Sequence, residues 1–311
     1  MKKYTSILSA FMIGVLLSFA TSCSDDDENP FNGDVVNPGS DVSEGEGPSS
    51  SDVLSIPTGT AFLGDSIQKT LRYSLAQNPI KKVTASTSQN GHIAVLGGYK
   101  NESAVYVYAK TDDDGAKLSK EEITALLDKY YDVAVSVNGT EINASVTEKA
   151  NIAHGPDFRQ LRVSMKIFTP GGVSSSLKIA SGSIFAENLK GTEHVATSAS
   201  GAIKYKNSTA KVFYVTSTAG HIGFINSSAT ESMSAILSKG SVQFAMNPAT
   251  KAKLNLRSTT NVSAPVLNSQ NFKGTNNRTL VDGDLNGGGY SINASVDKGS
   301  VVFKWFTDND N

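Results

Sequence analysis

The chain has 311 residues, a formal net charge of −1 at pH 7 and one cysteine. A near-neutral charge provides no basic field for a phosphate backbone, which argues against nucleic acid as a partner, and one cysteine excludes a disulfide framework or a cysteine-based zinc site. With 39% hydrophobic and 18% charged residues, the chain is not disordered throughout, and its length exceeds that of one typical domain.

The N-terminus has the features of a secretory signal peptide. Lys2 and Lys3 precede an apolar stretch between Ile7 and Phe19 that ends in small residues. The stretch is too short to cross a bilayer stably, because a spanning helix needs roughly 20 apolar residues. We therefore predict that residues 1–22 are removed from the mature chain.

The next residues resemble the anchor of a bacterial lipoprotein. The run Ala20-Thr21-Ser22-Cys23 is similar to a lipobox, although Ala20 stands where Leu is usual. The acidic run after Cys23 resembles the export signal of Bacteroidota lipoproteins displayed on the outer face of the outer membrane. The resemblance implies that Cys23 carries acyl chains such as palmitate, and that the outer membrane holds the protein at the cell surface. A secreted protein with an unmodified cysteine is the alternative.

Residues 23–52 are predicted to be the lipidated cysteine followed by a disordered acidic tether. They contain nine acidic residues, no Lys or Arg, and too few apolar side chains to fold. A flexible chain of this length spans roughly 30 Å, so the folded part is expected to stand away from the membrane. The 26 basic and 20 acidic residues after the tether leave that part with a modest positive charge.

Repeated sequences divide the rest of the chain into two predicted domains. Gly91-His92-Ile93 recurs as Gly220-His221-Ile222, and Ile142-Asn143-Ala144-Ser145-Val146 recurs letter for letter at 292–296. The repeats keep the same order in both halves, which indicates a tandem duplication. We predict one domain over residues 53–190 and a related one over residues 191–311.

Both predicted domains are mostly β. Short runs rich in Val, Ile, Tyr and Thr alternate with turn residues, which favours two tandem Ig-like β-sandwiches. Asn138-Gly139 predicts a type I′ hairpin turn. A short helix is expected after Ser119, because a capping box with Glu122 precedes apolar residues at helical spacing. The Asn- and Gly-rich stretch 268–289 is predicted to be an extended loop.

Motifs that would carry chemistry are few, and the familiar hydrolase and nucleotide-binding signatures are missing. Asp282, Asp284 and Asn286 are spaced like the first half of an EF-hand calcium loop. Asn293 stands where the bidentate Glu belongs, so a calcium site competes with a simple solvated turn. No other cofactor is expected.

Three further residues are candidate sites of binding or modification. Tyr99 and Tyr290 are candidate rings for stacking on a sugar. Asp65-Ser66-Ile67 resembles the Bacteroidota O-glycosylation acceptor, which makes Ser66 a candidate glycan carrier. His92 and His221 are predicted to be strand residues rather than metal ligands.

Together these features favour a non-enzymatic surface lipoprotein that acts as a binding or adhesion module, with a glycan or a surface protein as its partner. The first alternative is a structural subunit of a fimbria-like assembly, in which another chain completes an edge strand. The second alternative is an unrecognised envelope hydrolase.

The lipid anchor can be tested by replacing the cysteine. Because the acyl chains would be carried by Cys23, the Cys23→Ser variant is expected to lose labelled palmitate and to leave the membrane fraction. Metabolic labelling followed by membrane fractionation measures both effects. Ser22→Ala is the control and should keep the label, and a Cys23→Ser variant that still incorporates palmitate would contradict the prediction.

Overall fold

The computed structural model of the chain describes residues 66–74, 79–99, 102–111, 118–156 and 158–307. The predicted signal peptide, Cys23, the tether and residues 53–65 lie outside these ranges. The described residues form one large sheet of fifteen strands and a helix, which confirms a mostly β fold. The strands are β1 (Ser66–Ser74), β2 (Lys82–Leu96), β3 (Glu102–Thr111), β4 (Tyr131–Asn138), β5 (Glu141–Glu148), β6 (Leu161–Phe168), β7 (Ser174–Glu187), β8 (Glu193–Lys206), β9 (Thr209–Ile225), β10 (Ser228–Met246), β11 (Ala252–Ser258), β12 (Asn261–Ser263), β13 (Phe272–Asn276), β14 (Leu280–Leu285) and β15 (Tyr290–Trp305), and the helix is α1 (Lys120–Tyr130).

Helix α1 begins where the sequence predicts it. The Ser119 hydroxyl accepts a hydrogen bond from the Glu122 amide at 3.2 Å, and the Glu122 carboxylate accepts one from the Ser119 amide at 2.7 Å. This reciprocal capping box satisfies two amides at the helix N-terminus. The buried face of α1, which includes Ile123 and Leu127, packs into the main core beside β1, β3 and β4.

Six long strands form a parallel stack at the centre of the sheet. Strands β2, β7, β8, β9, β10 and β15 lie in this order, each in register with the next. Short turns join β7 through β10, although flat parallel neighbours normally need a crossover of a dozen or more residues. Short turns suffice here because each strand folds back on itself, so that its end lies near the start of the next strand.

Each stacked strand bends at a glycine and contributes to two layers. In β9 the large side chains in the main core are Phe213 and Val215 before Gly220 but Ile222 and Phe224 after it, so the core-facing positions change from odd to even at the bend. Both halves therefore face the same core. We call the halves before the bend the first layer, which β4, β5, β11, β13 and β14 extend, and the halves after it the second layer, which β1, β3, β6 and β12 extend.

The bend glycines form a column that no other residue type can replace. Gly182, Gly201, Gly220, Gly240 and Gly299 are direct cross-strand neighbours, with φ between +112° and +139°. Side chains strongly disfavour these φ values. A Cβ atom on any of the five would also overlap the carbonyl oxygen of the preceding glycine in the stack.

Asparagines shape the turns between the stacked strands. Asn188, Asn207 and Asn226 have φ of 57°, 49° and 46°, a left-handed conformation that Asn tolerates better than most residues. The side-chain amide of Asn226 donates to the side-chain oxygen of Asn207 at 2.8 Å. A buried serine follows each of Asn207 and Asn226, and the backbone N–H of Ser208 donates to the Ser227 hydroxyl at 3.2 Å. The turns are therefore stacked by hydrogen bonds as regularly as the strands.

The structure does not confirm two tandem Ig-like sandwiches. Strands β7 and β8, on either side of the predicted boundary at residues 190 and 191, pair along almost their whole length, and one core runs through both. The repeated sequences have a different basis. Gly91 and Gly220 lie at the bends of two strands in the same stack, while residues 142–146 and 292–296 occupy the same rows of the first layer.

Two local predictions are also corrected. The stretch 268–289 is not an extended loop, because residues 272–276 and 280–285 pair as the antiparallel strands β13 and β14. The β4–β5 hairpin exists, but Asn138 pairs with Glu141 and only Gly139 of the loop has a positive φ. One positive φ at the first loop position is the pattern of a type II′ turn rather than type I′.

The glycine column predicts a large difference between two Gly→Ala substitutions. Gly201→Ala places a methyl group against the Gly182 carbonyl and forces an unfavourable φ, so it is expected to destabilise the fold by at least about 4 kcal/mol. Gly172→Ala is the control, because a Cβ there has no neighbour within 4 Å. Soluble yield and thermal unfolding measure the effect, and two variants of similar stability would disprove the steric argument.

Candidate functional site

The outer surface of the first layer presents regular rows of side chains. In this layer Phe213 and Val215 of β9 point into the core, so Tyr214 between them points outward. Because the strands are in register, residues on neighbouring strands stand side by side along each row. The geometry therefore produces a broad face whose chemistry is set by every second residue of the stacked strands.

An exposed apolar patch lies at the centre of this face. Tyr214 and Ile236 each have a relative exposure of 44%, among the highest of the large hydrophobic residues in the described chain. Tyr214 lies beside Ser234 of β10, and Ile236 lies beside Thr216 of β9, so the two side chains are diagonal neighbours. Diagonal neighbours across a strand pair are close enough for long side chains to touch.

Small polar groups surround the patch. On β8 the direct neighbour of Tyr214 is the half-buried Val195, and the other positions of the two rows carry Ser176, Thr197, Thr216, Ser234, Asn293 and Ser295. The hydroxyls of Thr197 and Thr216 are 3.2 Å apart, so one donates to the other along the row. The face thus combines an aromatic ring with many hydroxyl and amide groups and few charges.

The same face continues into a groove at the end of the stack. Ser295 of β15 lies between Ile236 of β10 and Arg257 of β11. Beyond it, the groove encloses about 300 Å³ and is lined by Arg257, Ser258, Thr259, Thr279, Leu280, Ser295, Val296 and Asp297. A hydrogen bond holds Ser258 in place at the bottom of the groove, because its hydroxyl donates to the Gly299 carbonyl at 2.6 Å.

The residues predicted to bind calcium lie on strand β14 and in the turn after it. Asp284 stands between Lys253 of β11 and Lys273 of β13, so cationic neighbours already face its carboxylate. The Asn286 amide donates to the carbonyls of Pro248 and Thr250, at 2.9 and 2.8 Å. These contacts give Asn286 a structural role in the turn. Within the described ranges, no group of three or more His, Cys, Asp or Glu residues could hold a metal ion.

The two tyrosines chosen from the sequence are not on this face. Tyr99 is 5% exposed and packs edge-on against Phe168, with ring centroids 4.8 Å apart, in a small cluster outside the main core. Tyr290 packs against the main core, and burial raises its pKa to about 12. Ser66 is the first residue of β1, where its backbone pairs with Ala109.

A buried polar cluster lies inside the core of β7 and β8. The Ser175 hydroxyl is 3.0 Å from Nδ1 of His194 and 3.3 Å from the Tyr205 hydroxyl. Ser175 and His194 are 2% and 0% exposed, so no substrate can reach this Ser–His pair. Its role is to satisfy polar groups within the core.

The alternation of the sequence is the one signal for the outward position of Tyr214. Phe213 and Val215 are apolar, so alternation places Tyr214 on the opposite face, and Ile236 follows from Ala235 and Leu237 in the same way. The patch also depends on the pairing of β9 with β10, which alternation within one strand does not determine.

Comparisons with known proteins place the chain in a family. A family model described as Toastrack DUF4097 matches residues 64–301. The chain belongs to this family. No curated protein matches the chain by sequence. Within the described part of this Toastrack chain, no helix is long and apolar enough to span a membrane.

Solved structures resemble the fold only distantly. A candidate cell adhesion protein from Clostridium sporogenes has 9% identity and a TM-score of 0.41, over 76% of this chain and 99% of that one. A candidate adhesin from Bacteroides fragilis has 13% identity and a TM-score of 0.27, over 76% and 97%. A candidate lipid-binding protein from Parabacteroides distasonis has 11% identity and a TM-score of 0.29, over 77% and 99%. At TM-scores this low, none of them indicates what this chain binds.

The buried histidines predict that the fold weakens in acid. Burial lowers the pKa of His194 to about 4, and that of His92 to about 4, from 6.5 for a free side chain. Between pH 4 and pH 6.5 the unfolded chain therefore binds more protons than the folded chain. The free energy of unfolding is highest above pH 6.5 and falls as the pH approaches 4. Thermal unfolding from pH 7 to 4 should show this loss.

Substitutions separate this effect from general acid denaturation. His194→Gln should unfold with a weaker dependence on pH between 6.5 and 4, because it removes one of the groups that must gain a proton. Gly172→Ala, which leaves every histidine in place, should keep the pH dependence of the wild type. Identical pH profiles for His194→Gln and the wild type would rule out His194 as a contributor.

Proposed function

We propose that this protein is a non-catalytic binding module that holds glycans on the outer face of its first layer. The observation that carries the proposal is the exposed Tyr214 ring among hydroxyl and amide groups. A tyrosine ring offers a flat apolar face and a polar tip. This combination suits a pyranose, whose ring faces are apolar and whose edges carry hydroxyls.

The composition of the face favours a sugar over a protein partner. Stable protein interfaces bury about 800 Å² per partner around a fully apolar centre. Here the apolar surface consists of the exposed Tyr214 and Ile236 with the half-buried Val195 and Val212, which is too little for such a centre. A sugar needs only one ring-sized apolar platform with hydrogen-bonding groups at its edges.

The absence of catalysis is part of the proposal, and it is supported by how the titratable groups are placed. The Ser175–His194 pair is enclosed in the core. On the outer face, Asp282 and Asp284 lie next to each other along one strand rather than opposite each other across a cleft, and Asp284 stands between two lysines. A reaction on a sugar usually needs two carboxyl groups flanking the scissile bond.

The proposed location is the cell surface, with the outer membrane as the anchor site. The signal peptide, the lipobox-like Cys23 and the acidic tether support it, because two or more acyl chains hold a protein stably in a membrane. A tether with a span of roughly 30 Å would let the binding face meet ligands outside the membrane.

The fimbria-like alternative is less well supported. It requires an edge strand that accepts a strand from another chain. Among the described residues, the sheet ends in β1, which contains Lys69 and Arg72, and in β13, which is only five residues long and carries the exposed Lys273 and Gly274. A short edge with a lysine discourages strand addition.

Replacing the central ring tests the proposal. Tyr214→Ala should weaken binding to a glycan identified by array screening by tenfold or more, about 1.4 kcal/mol, because the stacking platform is lost. Tyr214→Phe keeps the platform and should retain most of the affinity. Isothermal titration calorimetry provides the affinities.

Ile152→Ala is the matched control, because Ile152 is similarly exposed but lies in the segment between β5 and β6. It should bind like the wild type. Equal loss in Tyr214→Ala and Ile152→Ala, or no loss in either, would refute the first layer as the binding face.

A further inference from the structure

The groove beside β11 is lined by the side chain of Arg257, whose guanidinium is held in a fixed orientation. Nε of Arg257 donates to the Asn255 side-chain oxygen at 2.9 Å, and both residues point outward from β11. Among the described residues, the two terminal nitrogens of this guanidinium have no carboxylate partner. An arginine anchored through Nε presents those nitrogens as a fork that matches the two oxygens of a carboxylate.

The groove is continuous with the sugar-stacking patch. Tyr214 lies on β9 and Arg257 on β11, with β10 and β15 between them. Three strand spacings and an offset of two residues along the strand separate the two residues by roughly 16 Å across the face. Ile236, Ser295 and Arg257 stand in one row across these strands, and Tyr214 is diagonal to Ile236, so an extended ligand can run from the ring across Ile236 to the guanidinium.

We propose that the glycan bound by this face is acidic, with a carboxylate of a uronic acid seated in the groove against Arg257. This inference rests on the proposed function, and it adds the charge of the ligand and the residue that recognises it. Hydroxyls of Thr279 and Ser295 line the groove beside the guanidinium and can bond the remaining sugar oxygens.

A second charge in the groove limits the kind of acid that fits. The side chain of Asp297 lines the same groove but forms no ion pair with Arg257 in the described structure. An anion near Arg257 is attracted, whereas a further anion beside Asp297 is repelled. The groove therefore favours a chain with isolated carboxylates over one with densely spaced sulfates.

The experiment compares three ligands on the whole folded protein. Hyaluronan oligosaccharides carry one carboxylate per disaccharide, their carboxyl-reduced counterparts carry none, and heparin oligosaccharides carry dense sulfates. We expect the wild type to bind the hyaluronan oligosaccharides at least tenfold more tightly than the reduced ones, and more tightly than heparin. Equal affinity for the acidic and reduced ligands, or tighter binding of heparin, would overturn the inference.

Three variants locate the recognition. Arg257→Gln should lose the preference for the acidic ligand while keeping the affinity for the reduced one, and Arg257→Lys should restore it only in part because the fork is lost. Arg159→Gln removes the same charge far from the groove and should bind like the wild type. An acidic preference that survives in Arg257→Gln would exclude Arg257 as its source.

The results also separate this inference from the proposed function. If Tyr214→Ala weakens both ligands and Arg257→Gln changes neither, the binding face stands and the carboxylate site is refuted. If Tyr214→Ala binds every ligand like the wild type, or no ligand of the three binds at all, the sugar platform and the carboxylate site both fail.

Discussion

The column of glycines at the bends is the constraint on which the rest of the structure depends. Each glycine lets its strand change direction and lets the next backbone approach more closely than any side chain would permit. Because the bends are stacked, every strand of the stack divides into halves that face one core. The short turns, the two layers and the outer rows all follow from this one geometric condition.

The stacked register turns a local sequence pattern into a surface. Alternation within one strand fixes which residues point outward, and pairing with the next strand sets their neighbours. The patch around Tyr214 and the groove around Arg257 arise from different parts of the chain, yet they share one face because β9, β10, β15 and β11 are in register. The first layer thereby provides a rigid platform, while the core keeps the serine–histidine cluster away from solvent.

Local features of the fold could be predicted from the sequence, but its architecture could not. The helix after Ser119 and the alternating strands depend on neighbouring residues, and both are present. Two Ig-like sandwiches are not confirmed, because the long repeated segments lie within one stack whose own repeat is 19 residues, at Gly182, Gly201 and Gly220. Alternation could place Tyr214 outside, but only the pairing of distant strands could bring it near Arg257.

The asparagine turns have a consequence for how such a protein can change in size. The backbone N–H groups of Asn188, Asn207 and Asn226 each donate to the carbonyl of an equivalent residue in the next strand, so the conformation of a turn depends only on adjacent copies. Inserting one more unit of this kind would lengthen the outer face by roughly 4.8 Å without disturbing the others. The span over which a chain-like molecule can be held is thus adjustable in fixed increments, by duplication of a segment far smaller than a domain.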